Sequence, residues 1–257
     1  MALTRFPSEF EALLTARGRR LLTRKAAPGV GALSRERFFS SAALIKPEWA
    51  RAGAAILASA FGDLLIENTL ALPPATEALL PNHDRLPKVG RMQSVPSSRG
   101  AMENSVQFQR GVACGVVDML RSPGFFAFVE ALAGRSVEGP NTLQAFCYRP
   151  GDYAGPHTDH HPEEERILAG YIDVHLTFCT PGVSEQLIVY ERDGHLTEQR
   201  SLARSGVVSA YRLPFWHYTT PLQASRSSAR RWLVLTTFLD AVSPPAATAA
   251  GESTPGT

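Results

Sequence analysis

The sequence predicts a mainly β protein: a helical front leading into an antiparallel barrel of the jelly-roll, cupin-like kind. Three observations predict it. From Asn141 onward the chain breaks into short runs rich in β-branched and aromatic residues, separated by turn signals. Before that point it is alanine-rich, with apolar residues at helical spacing. At 257 residues it is long for one average domain and short for two, which favours one large core with peripheral helices.

The elements follow in order. Ser8 with Glu11 reads as a capping box opening a helix through EFEALLTARGRR. The Arg-rich first 25 residues have the composition of a transit peptide, but this helix accounts for them, and targeting is not expected. Pro47 opens a second helix, WARAGAAILASAFGDLL. Residues 82–110 are polar, rich in Gly, Pro and Ser, and without sustained periodicity; a connection that long reads as a lid or as a mobile surface loop. A third helix runs from Ser122 to Gly134, with Ser as N-cap and Pro123 at the first turn. Six strands are then expected: NTLQAFCYR, YIDVHLTFCT, QLIVYER, HLTEQRSL, GVVSAYRL and RRWLVLTTFL. Six such strands in about 100 residues suit a closed or two-sheet antiparallel barrel. Residues 1–242 are thus read as a single domain, with 1–135 as largely helical support and 141–240 as the barrel. Residues 243–257 are low in apolar content and are expected to be disordered.

Composition excludes several functions. With 44% hydrophobic residues, 19% charged residues and a net charge of +2, the chain is globular and shows no footprint for a nucleic-acid partner. The arginines at 17, 19, 20 and 24 lack interleaved aromatics and read as a solvated helix end. Cys114, Cys147 and Cys179 form no CxxC pair, so neither a disulfide framework nor a thiolate zinc site is expected, and a reducing cytoplasm fits. No run approaches eighteen apolar residues, so no membrane span is expected. There is no Gly-x-Ser-x-Gly elbow, and Gly29 and Gly31 lack the third glycine and the preceding strand of a dinucleotide fingerprint.

The chemistry concentrates in YRPGDYAGPHTDHH, Tyr148 to His161. His157 and Asp159 are two apart, and on a strand such residues leave from one face. His217 lies downstream in the strand-like SAYRLPFWHYTT, and Arg230 and Arg231 head the last strand. Two imidazoles and one carboxylate make a facial triad that leaves positions open on a non-haem Fe(II), whereas structural zinc sites fill all four.

This order of motifs resembles the Fe(II)/2-oxoglutarate-dependent dioxygenase family, in particular its prolyl-hydroxylase-like branch, over about Ser122 to Asp240. The family pattern is Tyr-x-Pro-Gly, His-x-Asp, a distant His, and an Arg opening the last core strand. Tyr148, Pro150 and Gly151 match the lead-in. The resemblance implies His157, Asp159 and His217 as catalytic iron ligands, and Arg231 as the grip on the distal carboxylate of 2-oxoglutarate. It also implies a double-stranded β-helix core with Fe(II) as cofactor, in which 2-oxoglutarate and O2 are consumed to give succinate and CO2 while a C–H bond is hydroxylated, desaturated or closed into a ring. Two features differ from the pattern: Arg231 lies 14 positions after His217, and VSEQL stands where the family carries Gly-Gly-x-Leu. Arg230 is the alternative to Arg231. Alternation places Arg231, Leu233 and Leu235 on one face and Arg230, Trp232 and Val234 on the other.

Tyr148 reads either as a packing aromatic or as a cofactor contact. In the second case Gln144 and Phe146 share its face and become substrate-binding candidates. His160 and His161 read as a solvated turn, His175 as a hydrogen-bonded core histidine, and His83 and His195 as turn residues. The expected substrate is a small molecule. The alternatives are a protein or peptide (prolyl-type) hydroxylase and a cupin-like metal-binding module without oxygenase activity.

Overall fold

The computed structural model describes residues 3–23, 29–71, 89–95, 104–157, 171–213 and 216–240. Among the described residues six helices form the front: α1 (Ala16–Thr23), α2 (Ala32–Glu36), α3 (Pro47–Phe61), α4 (Val106–Ala113), α5 (Val116–Arg121) and α6 (Pro123–Ala133). The last is built as its sequence demands. Ser122 Oγ accepts from the Phe125 N–H at 3.3 Å, Pro123 occupies the first turn, and Gly134 stops the helix in the left-handed region at φ 74°. Its apolar side, Phe125, Phe128, Val129 and Leu132, is wholly buried.

The helix expected from Ser8 divides in two. Phe10–Ala12 is one 3-10 turn without a side-chain cap, and α1 starts afresh where Thr15 Oγ1 accepts from the Gly18 N–H at 3.2 Å. Tertiary pairing overrides the local signal. Leu14 bridges Ile45, with the Thr15 N–H on the Leu44 carbonyl and the Lys46 N–H on the Leu13 carbonyl, both at 2.8 Å, so the backbone is extended between the two pieces. No described helix is long and apolar enough to cross a membrane.

The strands are β1 (Phe38–Ser41), β2 (Ile66–Ala71), β3 (Val89–Val95), β4 (Val137–Tyr148), β5 (Ala154–His157), β6 (Tyr171–Cys179), β7 (Val183–Glu185), β8 (Leu187–Arg192), β9 (His195–Ser201), β10 (Val207–Leu213), β11 (His217–Thr219), β12 (Gln223–Ala224) and β13 (Arg231–Asp240). Among the described residues they form a seven-stranded sheet in the order β1-β10-β6-β13-β4-β3-β2, a four-stranded sheet in the order β5-β11-β8-β9, and a β12-β7 pair. Every pairing is antiparallel, as the jelly-roll reading requires.

Two expectations for the first 135 residues change. The region is not only helical support, because β1 closes one edge of the large sheet while β2 and β3 extend the other. The segment 82–110 is not one long connection, because residues 89–95 are a strand and α4 begins at Val106. Backbone pairing with β2 and β4 makes β3 a strand despite a polar sequence with little β-branched content. The remainder of that segment, 82–88 and 96–103, lies outside the described residues, as does the tail 243–257.

The large sheet is two-faced. Val174, Leu176 and Phe178 of β6, Val208 and Ala210 of β10, and Trp232, Val234 and Phe238 of β13 bury one face with the helices in one apolar core. Gly53 lets α3 lie close on this face: a Cβ there would sit 2.1 Å from the Phe178 ring. The opposite face looks toward the small sheet across two apolar clusters. Phe38, Tyr171, Ile188, Tyr190, Leu202, Tyr211 and Leu213 make one; Tyr148, Ala154, Leu222 and Leu233 make the other. Stacking of Phe38 on Tyr190, centroids 4.6 Å apart, ties the two sheets together.

Candidate functional site

Strands β5 and β11 are neighbours in the small sheet, and their register sets His217 directly opposite His157. The ring centroids are 4.3 Å apart. His217 is 3% exposed and His157 is half-buried. The local sequence explains the placement: the Ala154 N–H bonds Thr219 Oγ1 at 2.9 Å, anchoring β5 on β11. His157 Nδ1 lies 2.6 Å from the Gly155 carbonyl. A carbonyl only accepts, so Nδ1 carries a proton, and in the neutral ring Nε2 has the lone pair that a metal ligand needs. Asp159, two residues past the end of β5, lies outside the described residues, as do His83, His160 and His161. Among the described residues no group of three His, Cys, Asp or Glu side chains is placed to hold a metal.

Arg231 opens β13 from the inner face and is 1% exposed. Its Nη1 donates to Gln186 Oε1 at 3.1 Å and its Nη2 to Thr177 Oγ1 at 3.3 Å, with the Tyr148 ring 5.1 Å from its Cζ. Nε has no partner, and among the described residues no carboxylate pairs with this guanidinium. Burial pulls its pKa below the ordinary arginine value, with Tyr148 opposing the shift. A buried cation whose partners among the described residues are all neutral is a costly arrangement that an anion would complete. Arg230 points elsewhere: it is half-buried and its Nη1 returns to the Ser227 and Ala229 carbonyls, both at 2.8 Å.

The register of β4 on β13 pairs Tyr148 with Arg231, Phe146 with Leu233 and Gln144 with Leu235. Tyr148 is buried, while Phe146 and Gln144 are half-buried on the same face. His175 shares that interior from β6, its Nε2 2.8 Å from the Tyr211 hydroxyl, so the core-histidine reading describes its bonding. The Tyr211 ring also lies 5.1 Å from the His217 ring, which brings β10 against the histidine pair. His195 is exposed at the start of β9.

Sequence reasoning did not single out Tyr211, Thr177 or Gln186. Alternation from Arg231 fixes the inner face of β13, but finding these three needs the pairing of β6 with β13 and with β10, which sequence spacing does not supply.

No family model and no curated protein sequence matches the chain. Among solved structures it is similar to an oxidoreductase of the 2OG-Fe(II) oxygenase family from Burkholderia pseudomallei, at 12% identity over 85% of this chain and 91% of that one, with a TM-score of 0.51. A Pseudomonas putida prolyl-4-hydroxylase aligns at 16% identity over 87% and 100% of the two chains, with a TM-score of 0.47. EvdO2 from Micromonospora carbonacea, solved with 2-oxoglutarate, aligns at 14% over 81% and 89%, with a TM-score of 0.49. The likeness shows that the two-sheet barrel is a fold this chain shares with the Burkholderia pseudomallei oxidoreductase.

Proposed function

We propose that the chain is an Fe(II)- and 2-oxoglutarate-dependent oxygenase acting on an unactivated C–H bond of a small molecule. The observation that carries this reading is Arg231, a buried guanidinium without a carboxylate among the described residues, inside the same barrel as a cross-strand pair of histidines. The donor set fits the metal. Two imidazoles, one with its tautomer fixed by a backbone carbonyl, would hold Fe(II) together with Asp159. Bound iron, with 2-oxoglutarate and O2, supplies the oxidation: one oxygen atom goes to the substrate C–H and the other to succinate, with release of CO2.

The protein's own groups prepare that chemistry. Arg231 binds the distal carboxylate by charge-assisted hydrogen bonds in a site screened from water, where such bonds are strongest. Thr177 and Gln186 hold the guanidinium in place from two sides while remaining neutral. The Tyr148 ring covers it and excludes solvent. His175 and Tyr211, bonded to each other, offer the polar inner wall against which a substrate is oriented.

The test is succinate release from 2-oxoglutarate by the Fe(II)-loaded protein, scored across a metabolite library and a peptide library. Stimulation by metabolites is expected. Stimulation by peptides alone would make the chain a peptide hydroxylase. No succinate from any member, with metal still bound, would make it a metal-binding module of the same fold.

A further inference from the structure

Gln186 is 0% exposed and lies within VSEQL, the stretch that departs from the resembling family's pattern. Its side chain makes three hydrogen bonds. Oε1 accepts from Arg231 Nη1 at 3.1 Å, and Nε2 donates to the Asp152 carbonyl at 3.2 Å and the Thr220 carbonyl at 3.0 Å. The two carbonyls are informative by position. Asp152 is two residues ahead of β5, the strand that ends in His157, and Thr220 directly follows β11, the strand that begins with His217. Both are themselves fixed: the Leu222 N–H bonds the Asp152 carbonyl, and Thr220 exchanges backbone and side-chain bonds with Leu187, all at 2.9 Å.

One buried amide therefore joins the two histidine strands to the arginine. It cannot turn over, because a reversed amide would set Oε1 against two carbonyl oxygens and its NH2 against a guanidinium. Its acceptor stays aimed at Arg231, and it stays neutral.

We propose that Gln186 is the positioning residue for the cosubstrate carboxylate, setting the place of Arg231 relative to both histidines while leaving the guanidinium's charge for an incoming acid. This rests on the oxygenase reading. A carboxylate at 186 would occupy Arg231 itself, and a hydrocarbon there would take one donor from each of the Asp152 and Thr220 carbonyls and leave one guanidinium N–H without its acceptor. The difference between those substitutions separates positioning from packing.

The experiment is calorimetric titration of 2-oxoglutarate into the anaerobic, Fe(II)-loaded full-length chain, for wild type, Gln186→Glu, Gln186→Met and Arg231→Met. Steady-state constants and thermal midpoints accompany it. For Gln186→Glu, 2-oxoglutarate affinity should fall by about 30-fold or more, the scale for disabling one partner of a buried charged contact. Its KM for 2-oxoglutarate should rise while kcat at saturation stays near wild type. Gln186→Met, which adds no charge, should lose less affinity than Gln186→Glu and serves in its place if the acid prevents folding, with an expected loss of about 5-fold or more from one misplaced hydrogen-bonding partner. Arg231→Met binding poorly while both Gln186 variants bind like wild type would overturn the role of Gln186 and leave the oxygenase reading standing. Absence of 2-oxoglutarate binding by wild type, or normal binding by Arg231→Met, would overturn the reading beneath it and the inference with it.

Discussion

Replacing Arg231 with Met separates what the guanidinium does for folding from what it does for a ligand. Two folding effects oppose each other. Removing a buried charge that lacks an anionic partner relieves a desolvation cost, and a well-packed hydrophobic residue in such a place is often neutral or stabilising. Against that, Gln186 Oε1 and Thr177 Oγ1 each lose a donor, at about 1–3 kcal/mol for a buried group left unsatisfied. The ligand-free protein should therefore melt close to wild type. Binding should not survive so well, because loss of the charged partner costs about 2–5 kcal/mol, roughly 30-fold to several-thousand-fold in affinity. At a 2-oxoglutarate concentration of about 100 Kd, wild type gains about 2.7 kcal/mol, which for a chain of this size raises Tm by about 5–10 °C. A 30-fold weaker variant at the same concentration gains only about 0.9 kcal/mol, or about 2–3 °C. Differential scanning calorimetry of the Fe(II)-loaded protein with and without 2-oxoglutarate reads both quantities. Equal ligand-induced shifts in wild type and variant would refute the assignment. Arg230→Ala, whose guanidinium only bonds nearby carbonyls, should keep the full shift. If Arg230→Ala loses the shift and Arg231→Met keeps it, the two arginines exchange roles.

The remaining expectations are more direct. His157→Ala, Asp159→Ala and His217→Ala should each abolish succinate release while leaving the far-UV circular dichroism unchanged, and wild-type turnover by any of them would remove that residue from the ligand set. Gly53→Ala should destabilise by about 1–3 kcal/mol in urea titration, because its Cβ would meet the Phe178 ring at 2.1 Å in a close-packed core; an unchanged midpoint would mean the helix-sheet spacing is soft. Burial pushes the thiol of Cys147 up to about 12 and that of Cys179 up to about 11, from an ordinary 9.0. The folded protein should thus resist iodoacetamide at pH 8, while the urea-unfolded chain reacts. The unfolded chain gives up these protons first, so the thiols' contribution to stability is complete below about pH 9 and declines as pH climbs toward 11 and 12.

The six strands written in β-branched and aromatic residues, and the helix between Ser122 and Gly134, were readable because local preference and final packing agree there. Disagreement explains the misses. Phe38–Ser41 and Val89–Val95 are too short or too polar to announce strands, and they exist because a sheet edge was open to them. The Ser8 signal yields to the Leu14–Ile45 bridge. At the site, the spacing of His157 and Asp159 suggested two strand residues on one face. The opposition of His157 to His217 depends on strand adjacency, which the sequence separates by 60 residues and the fold reduces to a single register pair. Gln186 was passed over because an amide shows its importance only through the three groups it touches.

The two-faced sheet has a further consequence for how this protein can change. Along β6, β10 and β13 the odd-numbered residues look into the barrel, while the even-numbered ones support the helices. Selectivity and foldability are thereby written in alternate letters of the same strands. Variation at inward positions such as Ser209 and Leu235 can alter what the barrel admits without disturbing Val208, Val234 or the helical packing behind them. Variation one step along the chain is felt as lost yield instead. On the proposed reading, a lineage that carries this barrel would exchange one substrate for another by point substitution, but it could not shift a strand by a single residue without surrendering both properties at once.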